Sequence, residues 1–174
     1  IEAVRSAATQ RGTRQETAWA DAMLQCAESL ADAGDPTGAC AMYEALLAPG
    51  NPPSARRAAF IGLTAHRVDG NARGKDLARA LSSDDPALQR AAVHTVRQTH
   101  NRLALQYVAN RLGQFDASIL PLVILALGDT GDRTVLAHVI PFVSNTRADI
   151  RLAALHAVTH LGDAEAVPVL TREI

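Results

Sequence analysis

The stretch from Arg147 to Asp163 constrains the fold most, because its apolar residues follow the period of an α-helix. They recur at spacings of three and four residues and so share one helical face: Ile150, Ala153, Ala154, Ala157, Val158 and Leu161. We expect Asp149 to cap this helix and Gly162 to end it in a left-handed conformation. A further apolar segment, residues 166–170, follows at once. A helix–turn–helix unit of this size cannot bury its own apolar face, so copies of it must stack.

Similar copies occur upstream. Aligning Ala58, Ala91, Ile119 and Ala153 gives spacings of 33, 28 and 34 residues. Each of these first helices is followed by a second apolar stretch that predicts a second helix. In the third copy, this stretch consists of Val135, Leu136, Val139, Ile140 and Val143. The segment 70–74, with two glycines, is predicted to be a loop. Ala and Leu dominate and aromatic residues make up only 3%. The sequence therefore predicts an all-α fold of stacked helix pairs, an α-solenoid.

Residues 14–50 form a different unit, a helical hairpin. The first helix is predicted to bury a stripe of Trp19, Met23, Cys26, Ala27 and Leu30. This hairpin resembles a tetratricopeptide repeat through Ala27, the Ala33-Gly34-Asp35 turn, Ala39, Tyr43, and the Leu46-Leu47 pair that closes before Pro49. We expect it to cover the N-terminal end of the helix array.

Residues 51–174 resemble about four HEAT repeats of the short bacterial form. The resemblance rests on Asp85-Pro86-x-x-x-Arg90-Ala91-Ala92 and on Asp149-Ile150-Arg151-Leu152-Ala153-Ala154-Leu155, which runs on through Leu161-Gly162-Asp163 to Ala166-Val167-Pro168-Val169-Leu170. It implies one right-handed superhelix of the HEAT or armadillo type, spanning residues 1–174. It also implies a concave face, lined by the second helices, that grips other macromolecules.

The chain begins at Ile1 and ends at Ile174 within an apolar pattern, so we interpret it as part of a longer protein. Open ends of the array would then allow self-association. No apolar run approaches the roughly 18 residues that cross a bilayer, which predicts no membrane insertion. A cytoplasmic location is favoured, and a periplasmic or secreted one stays open because a signal would lie outside this sequence.

The sequence contains few residues whose spacing suggests catalysis, metal binding or a disulfide. His156 and His160 are four apart and lie within reach of one metal ion, but no further ligand follows nearby, so we interpret them as surface histidines. Cys26 and Cys40 are predicted to be small buried residues of neighbouring helices, with a disulfide as the alternative. HEAT-type hydroxylases carry His-Glu pairs that this sequence lacks, and a lyase-type activity has only architecture in its favour. We expect neither catalysis nor a cofactor or metal.

Charge is distributed unevenly. Residues 51–115 carry ten Lys or Arg against four acids, whereas the chain as a whole has a net charge of −1. Several of these cations fall on predicted second helices, so a protein partner, possibly acidic, is the preferred ligand and the protein is predicted to be an interaction scaffold. Nucleic-acid binding through the basic ridge of residues 56–111 is the alternative. The predicted partner-binding residues are Arg73, Lys75, Arg79, Arg102, Gln106, Asn110 and His138.

Overall fold

The computed structural model describes the backbone of residues 2–162 and the side chains of residues 15–162. Over these residues the chain is helical and contains no strand, which confirms the all-α prediction. The α-helices are α1 (Glu2–Asp32), α2 (Pro36–Leu46), α3 (Pro53–His66), α4 (Gly70–Leu81), α5 (Pro86–Gln98), α6 (Arg102–Ala109), α7 (Leu120–Asp129), α8 (Leu136–Val139) and α9 (Ala148–Leu161). Short 3₁₀ turns occupy Leu112–Gln114, Arg133–Val135 and Ile140–Phe142. The apolar segment predicted at 166–170 lies outside the described residues.

Two compact units divide the chain, residues 1–68 and residues 69–174. In the first unit, α1, α2 and α3 pack on one another. Gly34 ends α1 with a φ of +84°, which favours glycine. The Asp35 carboxylate then accepts a hydrogen bond from the backbone N–H of Gly38 at 2.9 Å and caps α2. The core of this unit consists of Ala20, Ala27, Ala39, Cys40, Tyr43, Leu46, Ala55, Ala59 and Leu63.

The face that α1 buries differs from the predicted one. Trp19 is 50% exposed and Cys26 is exposed, so a buried stripe through these two residues is wrong. The helix instead buries Ala20 and Ala27, about one residue further round, with Met23, Leu24, Leu30 and Ala31 packed against the same core. Alanines at the contact points let helices approach closely, and an indole ring would not fit between them.

In the second unit, helices contact the next helix but one along the chain. α5 packs on α7 and α7 packs on α9; we call these three the first-helix row. α4 packs on α6, and α6 packs on the turn Arg133–Val135; we call these three the second-helix row. Contacts of α4 with α5 and of α8 with α9 join the two rows. The core of the unit therefore lies between and within these rows, as the buried apolar residues of each helix show.

Each member of the second-helix row begins at a capping side chain. Asp69 accepts from the backbone N–H of Ala72, Asn101 from that of Ala104, and Asp132 from that of Thr134, at 2.7, 3.1 and 3.0 Å. These side chains satisfy N–H groups that a helix start leaves without a partner. The three caps are 32 and 31 residues apart (101 − 69 and 132 − 101), a more even spacing than that of the first helices.

The segment 70–74 is the first part of α4, and its assignment as a loop is wrong. Gly70 and Gly74 are both buried, and each lies where α6 leaves no room for a side chain. A Cβ on Gly74 would lie 2.5 Å from the Cβ of Tyr107, and one on Gly70 would collide with Asn101. The glycines therefore permit a close helix contact, which offsets their weak helix propensity of about 1 kcal/mol each.

The third predicted second helix is broken. Val135, Val139 and Val143 are buried as the pattern requires, but they belong to a 3₁₀ turn, the short helix α8 and the residue after a second 3₁₀ turn. Pro141 explains the break: proline lacks an N–H donor, and its ring clashes with the carbonyl group four residues earlier in an α-helix. The apolar pattern is thus satisfied without a continuous helix.

α9 buries all six residues predicted for its apolar face. Its ends differ from the prediction. Arg147 occupies the N-cap position without a capping side-chain hydrogen bond, and Asp149 lies in the first turn, where Arg147 binds it through Nε and Nη2 at 3.1 and 2.6 Å. Gly162 has φ −83° and ψ 159°, an extended conformation rather than a left-handed one.

Candidate interaction surface

α4 exposes one narrow polar stripe. Asn71, Lys75 and Arg79, spaced four residues apart, are exposed along the helix, whereas Gly70, Gly74 and most residues after Lys75 are buried. The burial follows from small and apolar residues on the other sides of the helix. The exposed stripe is therefore a consequence of packing, and it presents two cations to solvent.

α6 exposes a matching stripe. Arg102 is 69% exposed, Asn110 directly after the helix is exposed, and Gln106 between them is partly exposed. These residues are again four apart and so lie on one side of the helix. Leu103, 52% exposed, adjoins the stripe at the start of the helix.

The two stripes lie on the same side of the α4–α6 pair. Gly70 lies against Asn101 and Leu103, and one turn later Gly74 lies against Ala104 and Tyr107, so the helices run parallel and in register. In a right-handed helix, the residues after the α4 glycines and those before the α6 contact residues point to the same side of such a pair. We call this surface the α4–α6 face: Lys75, Arg79, Arg102, Gln106 and Asn110.

Two of the seven predicted residues are placed differently. Arg73 is partly buried, on the side of α4 away from the stripe, three residues after Gly70. His138 is partly buried on α8, which packs on α9. The structure thus brings together five of the predicted residues. Tyr107 and Arg111 lie outside this face and contact each other: the guanidinium Cζ of Arg111 is 3.7 Å from the Tyr107 ring centroid.

The cations of the face have weak contacts with acids. Arg79 Nη2 lies 3.9 Å from Asp76 Oδ1, and Arg102 Nε lies 3.9 Å from Asp132 Oδ2. Both guanidinium groups are more than 60% exposed, so these pairs contribute about 0–1 kcal/mol to stability and leave donors facing solvent. Asp132 Oδ1 also accepts from the backbone and hydroxyl groups of Thr134, at 3.0 and 2.7 Å. The acids are committed to local structure, and the solvent side of the face is positively charged.

A polar cleft of about 360 Å³ adjoins the face at Arg102. It lies between the loop 99–101 and the loop 130–134, and its lining residues are Thr99, His100, Arg102, Leu105, Thr130, Gly131, Asp132, Arg133 and Thr134. The Thr130 hydroxyl donates to the carbonyl of Leu127 at 2.6 Å. The Thr134 hydroxyl donates to Asp132 Oδ1 at 2.7 Å, and the lining also includes the basic side chains of His100, Arg102 and Arg133. The cleft extends the positive surface toward the start of α6.

The other candidate groups remain apart from this face. His156 and His160 are exposed on α9 with ring centroids 4.4 Å apart. Cys26 and Cys40 are both thiols, the first exposed and the second buried, so the prediction of two buried cysteines holds for Cys40 alone. Among the side chains of residues 15–162, no three His, Cys, Asp or Glu groups gather closely enough for a metal ion. Nor does any helix within residues 2–162 combine the length and apolarity of a membrane span.

Comparisons with known proteins found no match among family models, curated proteins or solved structures.

Proposed function

We propose that this chain is a non-catalytic binding module whose α4–α6 face holds an acidic segment of a protein partner. The observation that carries this proposal is the register of α4 and α6. It aligns the exposed cations Lys75 and Arg79 with the polar stripe of Arg102, Gln106 and Asn110 on one side of a closely packed helix pair.

The chemistry of the face suits carboxylates. Arg and Lys supply several N–H donors, and guanidinium groups bind carboxylates through paired hydrogen bonds. Gln106 and Asn110 add neutral donors and acceptors between the cations, which suits an extended peptide with its own backbone groups. A rigid helical scaffold holds these groups at fixed separations, so little entropy is lost at the face when a partner binds.

The arrangement of helices supports a finer proposal on the fold. We infer that the second unit is a stack of helix pairs of the HEAT type. Two observations favour this: contacts between every second helix in both rows, and helix caps at residues 69, 101 and 132. Each pair in such a stack contributes one helix to a continuous binding surface.

The face can be tested with a fluorescently labelled Glu-rich peptide and fluorescence anisotropy. We expect the double variant Arg79→Glu/Arg102→Glu to weaken binding by at least about tenfold, or about 1.4 kcal/mol. The matched control is Arg57→Glu/Arg90→Glu, which changes net charge equally at two exposed cations of α3 and α5. Equal weakening in both variants would show that only net charge matters and would contradict the proposal.

Nucleic-acid binding through the same cations is the alternative. A labelled DNA duplex in the same assay separates the two ligands. Duplex binding that falls steeply with added salt, without binding of the acidic peptide, would replace the protein partner with nucleic acid. Peptide binding that depends on Arg79 and Arg102, and exceeds duplex binding at physiological salt, is the expected result.

A further inference from the structure

The exposed side of α9 carries two imidazoles side by side. His156 and His160 are separated by four residues, both are exposed, and their ring centroids are 4.4 Å apart with an interplanar angle of 26°. The opposite side of α9 is anchored by six buried apolar residues and by packing on α7 and α8. The two rings therefore project from an element whose position is fixed by the core.

We propose that His156 and His160 form a two-imidazole chelate for a divalent transition-metal ion. Two metal–nitrogen bonds of about 2.0–2.1 Å place the two nitrogens roughly 3 Å apart. Rings whose centroids are 4.4 Å apart reach this separation by small side-chain rotations, with no change in the helix. Water molecules complete the coordination, because α9 presents only these two ligands on this side.

The end of α9 also favours a bound cation electrostatically. His160 lies in the last turn, where the unpaired carbonyl groups give a helix a partial negative charge. The Thr159 hydroxyl donates to the carbonyl of His156 at 2.7 Å, which ties down that part of the turn. The ion pair of Arg147 with Asp149 lies at the other end of the helix, so its charges are remote from the imidazoles.

The donor set selects the metal. Imidazole nitrogens suit Cu²⁺, Ni²⁺ and Zn²⁺, with Cu²⁺ bound most tightly in the usual order of divalent ions. Mg²⁺ and Ca²⁺ prefer oxygen ligands and should not bind at this pair.

The test is a titration of the whole chain with Cu²⁺ near neutral pH, followed by isothermal calorimetry and electron paramagnetic resonance. We expect one Cu²⁺ per chain with two nitrogen ligands in the spectrum. His156→Ala and His160→Ala should each weaken binding by more than about tenfold, since loss of even an outer-shell partner costs about 10–100-fold. Both residues are exposed, so unchanged melting without metal should confirm that the variants fold.

Two further variants make the result specific. His94→Ala/His100→Ala removes two exposed histidines elsewhere and should leave Cu²⁺ affinity unchanged. Leu152→His combined with His160→Ala should restore it, because Leu152 is 65% exposed and four residues before His156. Equal affinity in the wild type and both single variants would overturn the proposal. So would a restoring variant that binds no better than His160→Ala alone.

Discussion

The two edges of the second unit differ in how closely the helices are held. We call the edge at which the chain leaves a first helix and enters the following second helix the handover edge. The loops 99–101 and 130–132, with the caps Asn101 and Asp132, lie there. Gly128 lies there against Ala157, and Arg97 binds Asp129 at 2.8 Å. At the return edge, where the chain passes from a second helix to the next first helix, the segments 82–85, 110–119 and 143–147 vary in length, and the second of them includes a 3₁₀ turn.

This difference explains why the spacing of the first helices is less even than the spacing of the second-helix caps. The starts of the first helices lie at the return edge, and their aligned residues are 33, 28 and 34 apart. The caps of the second helices lie at the handover edge and are 32 and 31 apart. Where two helix backbones touch, the distance between the helices leaves no room for even one added methyl group. Exposed loops, in contrast, tolerate inserted or deleted residues. The contacts at the handover edge therefore fix the register of neighbouring helices.

The largest expected effect comes from adding a methyl group at the handover edge. A Cβ on Gly128 would lie 2.7 Å from the Cα of Ala157, and one on Gly74 would meet Tyr107. We expect Gly128→Ala and Gly74→Ala to destabilise the protein by about 1–3 kcal/mol through overpacking. Helix propensity alone predicts the opposite sign, a gain of about 1 kcal/mol. Urea unfolding followed by circular dichroism distinguishes the two.

Gly113→Ala is the control at the return edge, because a Cβ there meets nothing within 4 Å. Its effect on the free energy of unfolding should be within about 0.5 kcal/mol. A loss at Gly113 as large as at Gly128 would remove the distinction between the edges.

A smaller effect is expected from removing a cap at the handover edge. Asn101 accepts from the N–H of Ala104 at the start of α6, so Asn101→Ala should cost about 1 kcal/mol in the same unfolding measurement. Asn71→Ala provides the comparison, since Asn71 is exposed within α4 and alanine has the higher helix propensity. If both variants lost the same stability, the cap would have no special role.

The smallest effect is expected at the return edge, where α9 starts with an ion pair. Hydrogen bonds from Arg147 hold the pKa of Asp149 below its ordinary value. A carboxylate whose pKa is lower in the folded state stabilises folding above its unfolded pKa, about 3.9, and loses this contribution as the pH falls through the folded pKa. Asp149→Asn should therefore flatten the acid side of the stability curve slightly, and NMR titration of the carboxyl group should report the lowered pKa. A titration at the ordinary value would contradict the pairing.

The sequence was sufficient where the signal is local. The six apolar residues of α9 follow the helical period, and the Asp85-Pro86 motif lies at the start of α5, with Asp85 as its cap. The prediction of a loop at 70–74 is wrong because two glycines close together in sequence usually indicate a turn. Here glycine is required by the close contact with α6, about 30 residues further along the chain. Trp19 was misplaced for a related reason: hydrophobicity indicates burial, but the width of the gap between helices decides which side chain fits.

The candidate surface was predictable to a similar extent. Spacing of four residues was enough to group Arg102, Gln106 and Asn110 on α6. Arg73 could be excluded only once the buried glycines had fixed the rotation of α4 about its axis. His138 lies in the short helix α8, which ends before Pro141. The apolar pattern does not reveal this break, so the position of His138 could not be predicted from it.

The even spacing of the caps has a consequence for how a chain of this kind can change in length. Asn101 and Asp132 are each followed by an arginine, so residues 102–132 begin and end at equivalent points. A second copy of these 31 residues (132 − 102 + 1) inserted after Asp132 would meet the same junction on both sides. Duplication or loss of whole cassettes preserves the stacking contacts, whereas insertions of other lengths must be absorbed by the return loops.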